Sequence, residues 1–287
     1  MRSPGLLVVT AAVFVVAFAS AEETAVSRGE YLVFAGGCID CHTEAGKQAV
    51  QLAGGRPLET SFGTFYSPNI TPDPTTGIGQ WTDENFLRAF WEGVNPDGDH
   101  YYPSFPYTSY TGVSRKDLLA MKAYLFSLDP VVKQAPEHEL ALFISTRLAA
   151  GAWKLRSFEP GRFVPSENRS TAWNRGAYLV RHLGHCGECH TPRDSFGAIE
   201  NDRELAGNSD MPDGDSTPNI SPHRLDGIGK WAVDDIEYFL DIGMLPDGDS
   251  TGSVMSAVVD NSTSKLTKED RLAIATYLKS VPAQRGE

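Results

Sequence analysis

After its first 21 residues the chain has no uninterrupted apolar run of the ~18 residues that a membrane-spanning helix needs. The mature chain is therefore expected to have no membrane span. Basic residues are scarce beside acidic ones: 25 Lys and Arg stand against 37 Asp and Glu, for a formal net charge of −12. A surface of that sign repels phosphate, which excludes nucleic acid as a partner. A protein partner with a basic patch suits it better, although acidity that serves only solubility is an equal alternative. Aliphatic material is also limited. Apolar residues make up 41% of the chain and mean hydropathy is −0.27, so a large core needs apolar volume from something other than side chains. No stretch of any length alternates apolar and polar residues, which argues against a β fold. The 27 glycines and 18 prolines imply much loop and turn.

Residues 1–21 carry what the rest of the chain lacks. Arg2 precedes an apolar run from Leu6 to Phe18, and Ala19-Ser20-Ala21 follows with small residues where a signal peptidase cuts. The expectation is export to the periplasm and cleavage after Ala21; an uncleaved anchor is the alternative.

Only four cysteines occur, and their arrangement decides the chemistry. They fall as Cys38-Ile39-Asp40-Cys41-His42 and Cys186-Gly187-Glu188-Cys189-His190. Both are C-x-x-C-H, the attachment pattern of haem c. Two thiols one helical turn apart each add to one porphyrin vinyl group, and the adjacent histidine supplies the proximal iron ligand. Two haem c groups are therefore expected, held by Cys38, Cys41 and His42 and by Cys186, Cys189 and His190. Two disulfides, a zinc ribbon or thioredoxin-type exchange are the competing readings. None of them calls for a histidine directly after both pairs, and a zinc ribbon needs its pairs close together.

The chain is also duplicated. Arg28-Gly29-Glu30-Tyr31-Leu32-Val33 returns as Arg175-Gly176-Ala177-Tyr178-Leu179-Val180, Gly77-Ile78-Gly79-Gln80-Trp81 as Gly227-Ile228-Gly229-Lys230-Trp231, and Pro96-Asp97-Gly98-Asp99 as Pro246-Asp247-Gly248-Asp249. Each unit reads as helices joined by long loops. One helix runs into C-x-x-C-H, one follows the Trp at about 82–93 and 233–243, and one starts after Ser114 or Thr267 as N-cap. Leu118, Met121 and Leu125 form the inward stripe of that last helix in the first unit. The expected division is a signal over 1–21, a first unit over 22–133, a connector over 134–170 with a helix at about 138–153, and a second unit over 171–287.

Helix, C-x-x-C-H, loop, helix, sixth ligand, helix resembles the cytochrome c fold. With Tyr102-Pro103-Ser104-Phe105-Pro106-Tyr107, His185 to Arg193, and Met255 to Val259 followed by Ser264-Lys265-Leu266-Thr267, the chain is similar to the multihaem cytochrome c subunits of membrane-bound alcohol and gluconate dehydrogenases. The likeness is to their first two haem domains; a third domain and a C-terminal membrane-attaching segment have no counterpart. It implies a mainly α fold of two tandem cytochrome c-like domains, each with three or more helices around one haem. It also implies that Met255 is the axial methionine of the second haem. Phe105 holds the matching place in the first unit and cannot ligate iron. His100, on the same loop, is then the expected sixth ligand of the first haem; a five-coordinate iron, water or another residue are the alternatives. Met121 is expected in the core, and His138, His182, His185 and His223 are expected not to ligate. The resemblance further places the Pro68 and Pro218 carbonyls at the proximal imidazoles. It sets Trp81 and Trp231 near the propionates, with core packing as the equal alternative.

Electron transfer between a dehydrogenase and a respiratory acceptor is the function this implies. A haem enzyme acting on a small molecule at an open first haem is the alternative, and a ligand-sensing module is the third. Thioether ligation raises a haem's potential, so electrons are expected to enter at the first haem and leave from the second.

Overall fold

The computed structural model describes residues 24–209 and 216–286; the expected export signal lies outside them. The helices are α1 (Ala25–Ala35), α2 (Cys38–His42), α3 (Asp83–Glu92), α4 (Tyr107–Tyr110), α5 (Arg115–Leu125), α6 (Arg147–Ser157), α7 (Thr171–Tyr178), α8 (Gly187–His190), α9 (Val233–Ile242), α10 (Ser253–Asn261) and α11 (Lys268–Leu278). Local sequence sets their ends. The side chains of Thr24, Ser114, Ser170 and Thr267 each accept a backbone N–H three residues on, capping α1, α5, α7 and α11. Thr82 and Asn85 make a reciprocal capping box on α3, which ends at Gly93 in the left-handed region (φ 61°). Residues 179–183 continue α7 as one π turn toward the second C-x-x-C-H.

The duplication is visible in the packing. α1 crosses α5 and α7 crosses α11, closely enough that a Cβ on Gly29 would lie 1.9 Å from the Ala120 carbonyl oxygen, and one on Gly176 would lie 2.0 Å from that of Ala273. The repeated Arg-Gly dipeptide exists for these two crossings. Leu118 and Met121 are fully buried, and Leu125 nearly so, so the stripe of α5 faces the core as expected.

The same crossings join the two sets of helices. Arg28 pairs with Asp117 at 2.6 Å and Arg175 with Asp270 at 2.6 Å. Each carboxylate also accepts from a tyrosine of the other set, Tyr178 on Asp117 and Tyr31 on Asp270, both at 2.6 Å. Each tyrosine hydroxyl in turn accepts the N-cap N–H of Ser114 or Thr267 at 3.2 Å. Burial alone would raise the Asp270 carboxyl, but hydrogen bonds from Arg175 and Tyr31 outweigh it and hold it below its ordinary value. A carboxyl depressed in the fold stabilises above the unfolded pKa of about 3.9 and loses that contribution as pH falls through its folded value. Tyr31→Phe and Tyr178→Phe are therefore each expected to cost about 1–2 kcal/mol at pH 7. For Tyr31→Phe the gap to the wild type should narrow below about pH 4. Denaturant unfolding at pH 7 and pH 3 checks both.

The connector departs from expectation. Its helix is α6, which starts at Arg147 rather than near His138. The stretch before it extends, and Glu139–Leu140 (β3) pairs with β2 (Gly63–Tyr66) of a small antiparallel sheet whose other strand is β1 (Pro57–Thr60). Strands of two to four residues are too short to show an alternating pattern. The start of the connector is thereby stitched onto the first unit, where Ala150 packs with Phe65 and Tyr102.

Candidate haem sites

Gly37, at φ 64°, turns the chain so that Cys38, Cys41 and His42 share the single turn of α2. Cys186, Cys189 and His190 occupy α8 and its N-cap. The two imidazoles are wired alike. His42 Nδ1 lies 2.8 Å from the Pro68 carbonyl oxygen, and His190 Nδ1 lies 2.7 Å from that of Pro218. A carbonyl only accepts, so Nδ1 carries the proton and the lone pair sits on Nε2, free for a metal. Burial lowers the pKa of both rings, despite these bonds, and keeps them neutral.

The four thiols form no disulfide. Burial pushes Cys38 and Cys186 up to about 12 and Cys41 to about 11, the opposite of the lowered pKa that thiol exchange needs. Among the described residues, no group of three or more His, Cys, Asp or Glu side chains could hold a bare metal ion. Thiols in buried, mostly apolar surroundings beside a neutral imidazole fit an apolar planar macrocycle better than zinc or a redox disulfide.

Beside the first motif lies a cavity of about 430 Å³, lined by Cys38, Cys41 and His42 together with Ile78, Phe86 and Phe90. Trp81 and Phe105 are also in its wall. Phe105 is fixed among aromatic rings, edge-on to Phe90 at 5.2 Å and near Tyr101 and Tyr110 at 5.5 and 5.7 Å. His100 is not in the lining. Its Nδ1 is 2.9 Å from Lys154 Nζ, and its ring lies over Gly151 of α6, where a Cβ would come within 2.7 Å of it. The expected sixth ligand of the first haem is therefore held at the connector helix, not at the cavity. The cavity receives His138 and Arg147 instead, both from the connector. No local pattern marks them; the pairing of β3 with β2 brings them in. Met255 lies half-buried in the first turn of α10.

The two motifs are neighbours. His185, next to Cys186, lines the first cavity, packs edge-on against Tyr110 at 5.3 Å, and reaches the Gly36 carbonyl through Nε2 at 3.3 Å. Glu188, inside the second motif, accepts from Thr108 and Ser109 of the first unit at 2.8 and 2.7 Å and pairs with Arg193. Burial would raise its carboxyl, but Arg193 and the two hydroxyls hold it below the ordinary value.

The chain is 46% identical to a dihaem cytochrome c-type protein of Cereibacter sphaeroides, over 90% of this chain and 86% of that one. The profile of the family described as Cytochrome c matches residues 26–129. The chain belongs to the cytochrome c family. It is also 40% identical to the gluconate 2-dehydrogenase cytochrome c subunit of Pantoea cypripedii, and 36% identical to the cytochrome c subunit of the quinone alcohol dehydrogenase of Gluconacetobacter polyoxogenes. These matches span 92% and 91% of this cytochrome but only 61% and 57% of the two subunits. Haem c as cofactor, electron transport as role and a mainly helical fold follow from the family. No helix among the described residues is long and apolar enough to cross a membrane.

Proposed function

We propose that this cytochrome carries two haem c groups in two tandem cytochrome c domains and passes electrons from a dehydrogenase to a respiratory acceptor in the periplasm. The observation that carries the reading is the pair of C-x-x-C-H motifs whose imidazoles both give Nδ1–H to a proline carbonyl and so offer Nε2 to iron. Cys38, Cys41 and His42 would hold the first haem, and Cys186, Cys189, His190 and Met255 the second. When bound, each haem supplies a one-electron couple. The chain's own residues orient the imidazoles, keep water from the apolar walls, and hold the two motifs together through His185, Tyr110 and Glu188. The acidic surface suits a basic docking partner, and the names of the relatives make a dehydrogenase the natural donor.

The two sites are unequal, because only the second has a methionine at the place the repeat aligns with Phe105. Anaerobic redox titration of the full chain, with a pyridine haemochromogen count, is expected to give two haems and two separate one-electron waves. A single haem, or two haems titrating as one wave, would refute this reading.

A further inference from the structure

His138 is wired in the opposite sense to His42 and His190. Its Nδ1 accepts the backbone N–H of Tyr66 at 3.1 Å. A nitrogen that accepts an N–H carries no proton of its own, so in the neutral ring the proton sits on Nε2. His42 and His190 present a lone pair at Nε2; His138 presents an N–H. That ring lines the same cavity as Cys38, Cys41 and His42. It packs edge-on against Phe65 at 5.4 Å and Tyr102 at 6.0 Å, and so sits beside the 101–106 segment that bears Phe105. Burial first, and then the charge of Arg147, lower its pKa and keep the ring neutral.

Three features line this one cavity. Phe105 takes the place of a ligand and cannot be one. His138 offers a hydrogen-bond donor. Arg147, also in the lining and stacked 4.8 Å from the Tyr102 ring centre, supplies positive charge in an otherwise acidic chain. The donors and steric access on the distal side decide whether a haem site only passes electrons or also takes a ligand.

We propose that the first haem site takes up a small monovalent anion on the Phe105 side of the cavity, with the Nε2–H of His138 as its hydrogen-bond donor. The Arg147 guanidinium draws the anion in. This rests on haem attachment at Cys38 and Cys41, and the test separates the two claims.

The oxidised, full-length holoprotein is titrated with sodium fluoride and followed by its visible and electron paramagnetic resonance spectra, after its haems are counted. The expected result is a high-spin first haem that binds fluoride, at an affinity His138→Val weakens about tenfold, as loss of one charge-assisted hydrogen bond would. His138→Gln, which keeps an N–H donor, should restore most of that affinity. Phe105→Met should abolish fluoride binding while both haems remain. Two haems with no fluoride binding, or equal affinity in His138→Val, overturn the proposal alone. So does a low-spin first haem that turns high-spin in His138→Val, because His138 would then be the ligand itself. A count of one haem, with Cys38 and Cys41 unmodified, overturns the attachment and the proposal together.

Discussion

Replacing Cys38 and Cys41 together by alanine is expected to yield a chain with one haem and an unfolded or molten first unit. Those thiols border a cavity of about 430 Å³ with mostly apolar walls. At ~24 cal/mol per Å³, an enclosed dry void of that size would cost at most about 10 kcal/mol, of the order of the whole ~5–15 kcal/mol stability of a typical domain; this cavity opens to solvent, so entering water lowers the cost. Partial collapse reduces the figure but also destroys the packing of Phe86 and Phe90 that defines the site. On the proposed reading the side chains of this unit do not close a core by themselves and a macrocycle would complete it, in keeping with the modest aliphatic content. The damage should spread, because Asp117 at the start of α5 accepts from Tyr178. Mass spectrometry should show the loss of one haem, and circular dichroism a melting transition lowered or lost. The matching change at Cys186 and Cys189 should remove the other haem and leave the first. A Cys38/Cys41 variant that keeps two haems and melts like the wild type would show that the cavity is not a haem site.

What was legible in the sequence was whatever short-range chemistry writes. Ser114 and Thr267 announce their helices because an N-cap acts over three residues. The C-x-x-C-H motifs announce the short turns of α2 and α8, which set each pair of thiols beside one imidazole. The family resemblance, not any local rule, located the acceptors of the imidazoles: the Pro68 and Pro218 carbonyls take the bonds from His42 and His190. What was hidden depends on contacts distant along the chain. His100 and His138 are both single histidines in loops, and nothing local separates them. Glu139–Leu140 could not be read as a strand, because two residues of β3 make no pattern without β2 beside them. That pairing starts α6 late at Arg147, which lays Gly151 and Lys154 over His100 and turns His138 and Arg147 toward the cavity. The tyrosine exchange between the two sets of helices was also out of reach. Tyr31 and Tyr178 appear in the repeat, but their carboxylate partners lie 239 and 61 residues away along the chain.

The exchange of one residue type between the repeats is expected to move the two haem potentials in opposite directions. Phe105 and Met255 occupy matching positions, and thioether ligation to iron raises the potential. In Met255→Phe the second haem loses that ligand, and its potential should fall by on the order of 0.1 V, within the ~0.8 V range that axial ligands span. In Phe105→Met the first haem gains one and should rise by a similar amount. Met is unbranched and adaptable, so it fits where Phe105 stands at a loss of about 1 kcal/mol from the rings of Phe90, Tyr101 and Tyr110. Met255 lies in the first turn of α10, and the other end of that helix is anchored on the first motif, where Asn261 donates to Asp40 at 2.7 Å. The backbone that aims Met255 therefore stays in place when its side chain changes, and the shift reports ligation rather than unfolding. Spectroelectrochemical titration of each variant, and of the double exchange, reads both waves at once. The double exchange should reverse the order of the potentials and slow electron flow from a donor that docks at the first haem. If Met255→Phe leaves both waves where they were, Met255 is not a ligand. If Phe105→Met leaves them unmoved, Phe105 does not stand over the iron of the first haem.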